Sequence, residues 1–88
     1  MRTYEFTFLT KDKEDQKEVE TLVKNLKGKI KNKVEWGEKS LAYPIKHLKK
    51  AWYFTYTLSI DEKVLDEFKK KLNFSDKILR YLLLKIDK

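Results

Sequence analysis

Six segments in the order strand, helix, strand, strand, helix, strand predict an α+β fold. The expected form of that βαββαβ order is a four-stranded antiparallel sheet with two helices on one face. Three observations carry the expectation. Aromatic residues alternate with others at period two near the start, and two stretches repeat apolar residues at helical spacing. A glycine and a proline interrupt the second strand-like run, and proline, which cannot donate to a ladder, belongs at a sheet edge. Right-handed crossovers give the sheet order 4-1-3-2, which puts strand two at an edge by a separate route.

Taken in order, Tyr4, Phe6 and Phe8 alternate with Thr3, Glu5, Thr7 and Leu9, so the first strand turns one aromatic face inward. Asp12 is placed to cap the first helix, with Glu14 and Asp15 in its first turn and Lys24 and Lys27 in its last, matching the helix dipole. Val19, Leu22, Val23 and Leu26 share its buried face, and Gly28 reads as its stop. A lysine-rich passage follows. Val34 to His47 then reads as an edge strand in which Gly37 marks a bulge. Leu48, Lys49 and Lys50 read as a loop, and Ala51 to Ile60 as a central strand rich in aromatic and β-branched residues. Asp61 opens the second helix, with Ser59 and Glu62 as an alternative capping box, and Val64, Leu65, Phe68 and Leu72 form its apolar stripe. Lys77 to Ile86 closes the chain as a long apolar strand.

Eighty-eight residues predict one domain over 1–88, burying roughly 60 to 70 per cent of the surface its unfolded form exposes. Aromatics at 14 per cent offset a charged content of 40 per cent. With no cysteine, disulfides, thiolate metal sites and a cysteine nucleophile are excluded, and nothing points to an oxidising compartment. The opening residues enter a strand pattern at once, and no apolar run approaches the roughly 20 residues of a membrane span. A cytoplasmic protein without a membrane partner is expected.

The net charge of +7 is concentrated. Between Lys24 and Lys50 nine lysines face two acids, Glu35 and Glu38, and nine minus two accounts for the whole surplus, since the rest of the chain holds twelve bases and twelve acids. Such an asymmetry predicts a side that faces a polyanion, although lysine-rich surfaces also serve solubility.

Catalytic chemistry finds little footing. His47 is the only histidine, with no Ser or Asp beside it, and Gly28 and Gly37 are the only glycines, so a phosphate-cradling glycine loop is absent. Metal ligands are lacking, and no cofactor is expected. An acylphosphatase-like hydrolase would need phosphate-binding amides and an arginine in the first strand-to-helix loop, which here reads Thr10-Lys11-Asp12-Lys13. A free-standing single-stranded RNA-binding module is the alternative, because this topology can display stacking aromatics on an open sheet face. Ala51 to Tyr56 supplies the aromatics without the glycines usual in such modules.

The most specific stretch is Glu35 to Lys46, Glu-Trp-Gly-Glu-Lys-Ser-Leu-Ala-Tyr-Pro-Ile-Lys. Trp36-Gly37 followed by Leu41 to Ile45, the opening Met1, Arg2, Tyr4 and Glu5, and the late Phe74, Asp76 and Arg80 together resemble the bacterial small-subunit ribosomal protein six family along almost the whole chain. That resemblance implies the βαββαβ fold reached above and a non-catalytic role in the small-subunit platform. It further implies binding to 16S ribosomal RNA together with small-subunit protein eighteen.

Carried over by position, Arg2 and Arg80 are the first candidates for phosphate contacts, with a structural ion pair the competing role for Arg80. Lys39 stands where the family usually has arginine, keeping the charge but losing bidentate geometry. Lys46, Lys49 and Lys50 follow as point charges near RNA. Trp36, Tyr43 and Pro44 have two readings: the tryptophan covers the core beside a bulge and the proline blunts an edge, or the three shape the edge that meets protein eighteen. Many relatives carry glycine near Lys31 to Lys33 and a polar or acidic tail, so tail-dependent contacts are expected to be missing here.

Overall fold

Apolar side chains at every second position of the first strand decide which side of the sheet the helices cover. The computed structural model describes residues 2–45 and 47–86. Its elements are β1 (Arg2–Thr10), α1 (Gln16–Asn25), β2 (Lys29–Ile45), β3 (Leu48–Ile60), α2 (Leu65–Phe74) and β4 (Ile78–Lys85), and single 3-10 turns at Lys13–Asp15 and Glu62–Val64 lead into the helices. The sheet runs β2-β3-β1-β4, antiparallel at every pairing, which is the expected 4-1-3-2 read from the opposite edge.

Pairing sets Phe6 opposite Tyr56 and Phe8 opposite Phe54, so one face of β1 and β3 is a continuous aromatic sheet. Both helices press on it with Val19, Val23, Phe68 and Leu72, and every one of these eight side chains is at most 2 % exposed. The rings meet in favoured geometries: Phe6 stacks on Phe8 at 4.9 Å and meets Phe68 edge-on at 5.3 Å, while Phe8 meets Tyr56 edge-on at 5.0 Å. Thr3, Glu5, Thr7 and Leu9 point the other way, to a face that carries no helix.

Two strands begin earlier than their sequence suggests. β2 starts at Lys29, not Val34, and β3 at Leu48, so Lys49 and Lys50 lie in a strand and not in a loop. Lysines are poor strand formers, but Lys29, Ile30, Asn32 and Lys33 are held against Ser59, Leu58, Thr57 and Tyr56 by the β3 ladder. Cross-strand pairing overrides local preference there. Lys46 falls outside the described residues.

Asp12 does cap the first helical segment, and the bond runs from its own N–H to the Asp15 carboxylate at 3.0 Å. Asp61 caps the second by accepting from the Lys63 N–H. At the end of α1 the sequence reading needs correction. Lys27, not Gly28, takes the left-handed conformation (φ 62°), with its N–H on the Lys24 carbonyl and the Gly28 N–H on the Val23 carbonyl, the two bonds of a Schellman close. Gly28 is required for a different reason. A Cβ there would stand 3.0 Å from Val23 Cγ1, 3.1 Å from the Ser59 carbonyl oxygen and 3.3 Å from Ile60 Cγ1. The Ser59 carbonyl belongs to the β3 backbone and cannot retreat without disturbing the ladder. Gly28→Ala is therefore expected to destabilise by about 1–3 kcal/mol, read as a lower urea midpoint at unchanged slope; a neutral result would show that the strand yields.

Tyr56 is fully buried, and its hydroxyl donates to Gln16 Oε1 at 2.8 Å. Burial first, then the Glu20 and Glu35 carboxylates, hold its phenol well above the ordinary tyrosine value. A raised folded pKa favours the protonated native state, so this stability is complete below about pH 10, the unfolded value, and declines as pH rises further. Tyr56→Phe loses a hydrogen bond worth about 1 kcal/mol at neutral pH, but it has no phenol to ionise. The gap between wild type and variant is therefore expected to narrow above pH 10, as followed by urea denaturation from pH 8 to 11.

Candidate nucleic-acid interface

The β2–β3 hairpin outgrows the sheet. β1 ends where Thr10 meets Trp52 and Ile78, whereas β2 and β3 continue to the pairs Lys39 with Ala51, Ser40 with Lys50 and Ile45 with Leu48. Beyond Trp52 the ladder is therefore a two-stranded ribbon, and it carries the Leu41 to Ile45 motif. Between Ser40 and Ile45 the register slips, because five steps of β2 face two of β3. Pro44 sits in that irregular stretch, on the outer strand, where its missing N–H costs no ladder bond. Tyr43 beside it is 82 % exposed. His47, at the turn, has a left-handed φ of 67°.

A second slip, between Glu35 and Gly37, makes Trp36 the extra residue of a bulge, and Gly37 takes φ 89° to allow it. The tryptophan does not cover the core. It lies on the helix-free face, 55 % exposed, with its indole N–H donating to Thr55 Oγ1 at 2.9 Å, and Thr55 in turn meets Thr7 at 3.2 Å.

On the same face the register lines up Arg80, Leu9, Tyr53 and Gly37 across all four strands. By alternation Lys39 and Lys49 fall on this side of the ribbon, and Lys50 on the other. Arg80, Lys39, Lys49 and Lys50 are exposed and have no ion-pair or hydrogen-bond partner for their side chains among the described residues. The ion-pair role open to Arg80 by sequence thus has no acidic partner there. Arg2 is separated from this group. Seven residues before Leu9 on β1, it lies about 23 Å away along the sheet and meets Glu62 at 3.8 Å.

An apolar strip escapes the sequence reading. Leu82, Leu84 and Ile86 are 58 %, 48 % and 47 % exposed on the helix-free face, while Tyr81 and Leu83 pack on the core. Its signal is Leu82-Leu83-Leu84: a strand apolar at every position must expose one set when helices cover a single face.

A groove of about 740 Å³ between α1 and α2 is lined by Val19, Leu22, Leu72 and the exposed Phe74, with acids and lysines at its rim. Among the described residues there is no group of three or more His, Cys, Asp or Glu side chains placed to hold a metal, and no helix is long and apolar enough to cross a membrane.

The family model described as Ribosomal protein S6 matches residues 3–85. The small ribosomal subunit protein bS6 of Ruthia magnifica is 37 % identical over 94 residues, covering 99 % of this chain and 82 % of the relative. That of Dictyoglomus turgidum is 30 % identical over 95 residues, covering all of this chain and 98 % of the relative. The crystal structure of 30S ribosomal protein S6 from Thermotoga maritima superimposes with a TM-score of 0.80 at 24 % identity, over 96 % of this chain and 86 % of that one. That last likeness speaks for the fold.

Proposed function

The chain belongs to the ribosomal protein S6 family of the small subunit, and from that premise we propose that it binds 16S ribosomal RNA in the platform together with small-subunit protein eighteen. Its work is non-catalytic assembly, carried out on the ribosome in the cytoplasm. One observation carries the reading: Lys39, Lys49, Lys50 and Arg80, none of them in an ion pair among the described residues, stand at one end of a sheet whose open face is apolar further along. Unpaired cations fit phosphate, and lysine acts there as a point charge, so binding is led by shape and charge and not by base identity. The Leu82, Leu84 and Ile86 strip and the irregular edge at Trp36, Tyr43 and Pro44 offer the protein partner an apolar face beside that charge.

The test is the affinity for a 16S platform fragment across a salt series, with and without protein eighteen. Tight binding only with the partner, weakening by about 0.7 to 0.9 log units per contacted phosphate for each log unit of salt, is expected. Equal binding to unrelated single strands without the partner would favour the free-standing RNA-binding module, which the exposed Trp36 on the open face also suits. Absence of RNA binding in both conditions would end the reading.

A further inference from the structure

We propose that Lys24, Lys27, Lys29 and Lys31 form a second RNA-backbone site, so that this chain holds two RNA segments at once, one at each end of its sheet. The proposal rests on the RNA-binding reading above and adds a site to it. The nine-lysine stretch looks continuous in the sequence, but the fold divides it. Lys24 lies in the last turn of α1, Lys27 at its left-handed close, and Lys29 and Lys31 at the start of β2. All four are exposed. Lys31 is the extra residue of a register slip between Ile30 and Asn32, and its ammonium reaches the Thr3 hydroxyl at 3.4 Å, over the open face.

The nearby acids are committed elsewhere. Asp61 caps the Lys63 N–H and Glu62 meets Arg2. The cap leaves Asp61 its charge, so with Asp61 and Glu5, further along the open face, counted against them, the four lysines still leave a surplus of two. Midway along β2 the charge is cancelled or reversed: Lys33 is paired with Glu20 on α1, and Glu35 and Glu38 add negative charge.

Measured along β3, from the Leu58–Thr57 level beside Lys31 to Ala51 opposite Lys39 is six to seven residues, about 21 Å. The Debye length at physiological ionic strength is about 8 Å, so the two ends are more than two screening lengths apart and act as separate sites. A single strand tracking β2 between them would cross its neutralised middle, whereas two segments, one at each end, avoid it. When both segments belong to one folded RNA, the second binds at the high effective concentration set by the first.

The test uses the full chain at low salt with two short, non-complementary RNA hairpins, one carrying an energy donor and the other an acceptor. Wild type is expected to produce energy transfer that rises with protein and falls again once protein exceeds RNA. The variant Lys24→Gln, Lys27→Gln, Lys29→Gln, Lys31→Gln, checked for an unchanged circular dichroism spectrum, is expected to bind one hairpin but give no transfer. Its salt slope should be shallower by about 0.7 to 0.9 for each phosphate it no longer neutralises. Transfer that survives the four changes overturns the proposal, and so does a wild type that binds one hairpin and never two. A wild type that binds no hairpin, either alone or with protein eighteen added, would instead overturn the RNA-binding reading itself.

Discussion

Phe6→Ala is expected to remove about 3–5 kcal/mol of unfolding free energy, a large part of the roughly 5–15 kcal/mol available to a small domain. Phe6 is fully buried and joins three elements through its ring: it stacks on Phe8 in β1, meets Phe68 of α2 edge-on, and lies 5.8 Å from Tyr81 of β4. Truncation deletes the ring's own burial and strips its lining of neighbours on one side. Because that lining is made of other rings anchored in a ladder and a helix, collapse into the space is restricted. Phe6→Leu keeps most of the volume and is expected to cost about 1–1.5 kcal/mol. Urea denaturation of both variants checks this, and a similar loss for the two would show that ring geometry matters more than volume.

Replacing Lys39, Lys49, Lys50 and Arg80 together by glutamine is expected to weaken RNA binding roughly two-hundred- to a thousandfold at physiological salt, if each meets one phosphate. All four are exposed and unpaired among the described residues, so stability should move by less than about 0.5 kcal/mol. That separation makes the measurement clean: weaker affinity at an unchanged urea midpoint reports the interface and not the fold. Arg80→Lys keeps the charge and removes the fork, so it should recover most of the Arg80 share if charge leads and little if bidentate geometry does. A fourfold variant that binds as wild type does would remove this end of the sheet from the interface.

Much of the architecture is legible because local pattern and tertiary packing agree. Tyr4, Phe6 and Phe8 alternate as a core strand must, and Pro44 demands an edge that the crossover rule supplies independently. Gly37 marks a bulge, and the ladder slips beside it. Legibility fails where long-range pairing decides. Nothing local in Lys29 to Lys33 says strand, because Tyr56 to Ser59 hold it there. Gly28 reads as the residue that turns left-handed, whereas it is needed for its missing Cβ against Val23 and Ser59, a proximity that only the fold creates. Trp36 behaves similarly: aromatic character suggests the core, and the bulge turns it to the open face. The candidate site is the least legible part, since Arg2 and Arg80 look equivalent by residue type and motif yet stand at opposite ends of the sheet, Arg2 at the start of β1 and Arg80 on β4 across from Leu9.

The ribbon beyond Trp52 also has a dynamic consequence. None of its described residues from Lys39 to Lys50 is buried, and β3, which lies between two strands in the body of the sheet, has only the edge strand β2 beside it here. Its amides should thus exchange with solvent through local opening at a free energy well below that of global unfolding, while those of Phe6, Phe8, Phe54 and Tyr56 wait for the whole molecule to open. A partner that grips Lys39 and Lys49 must also quiet this segment, which subtracts ordering entropy from its affinity and slows ribbon exchange at sites it never touches.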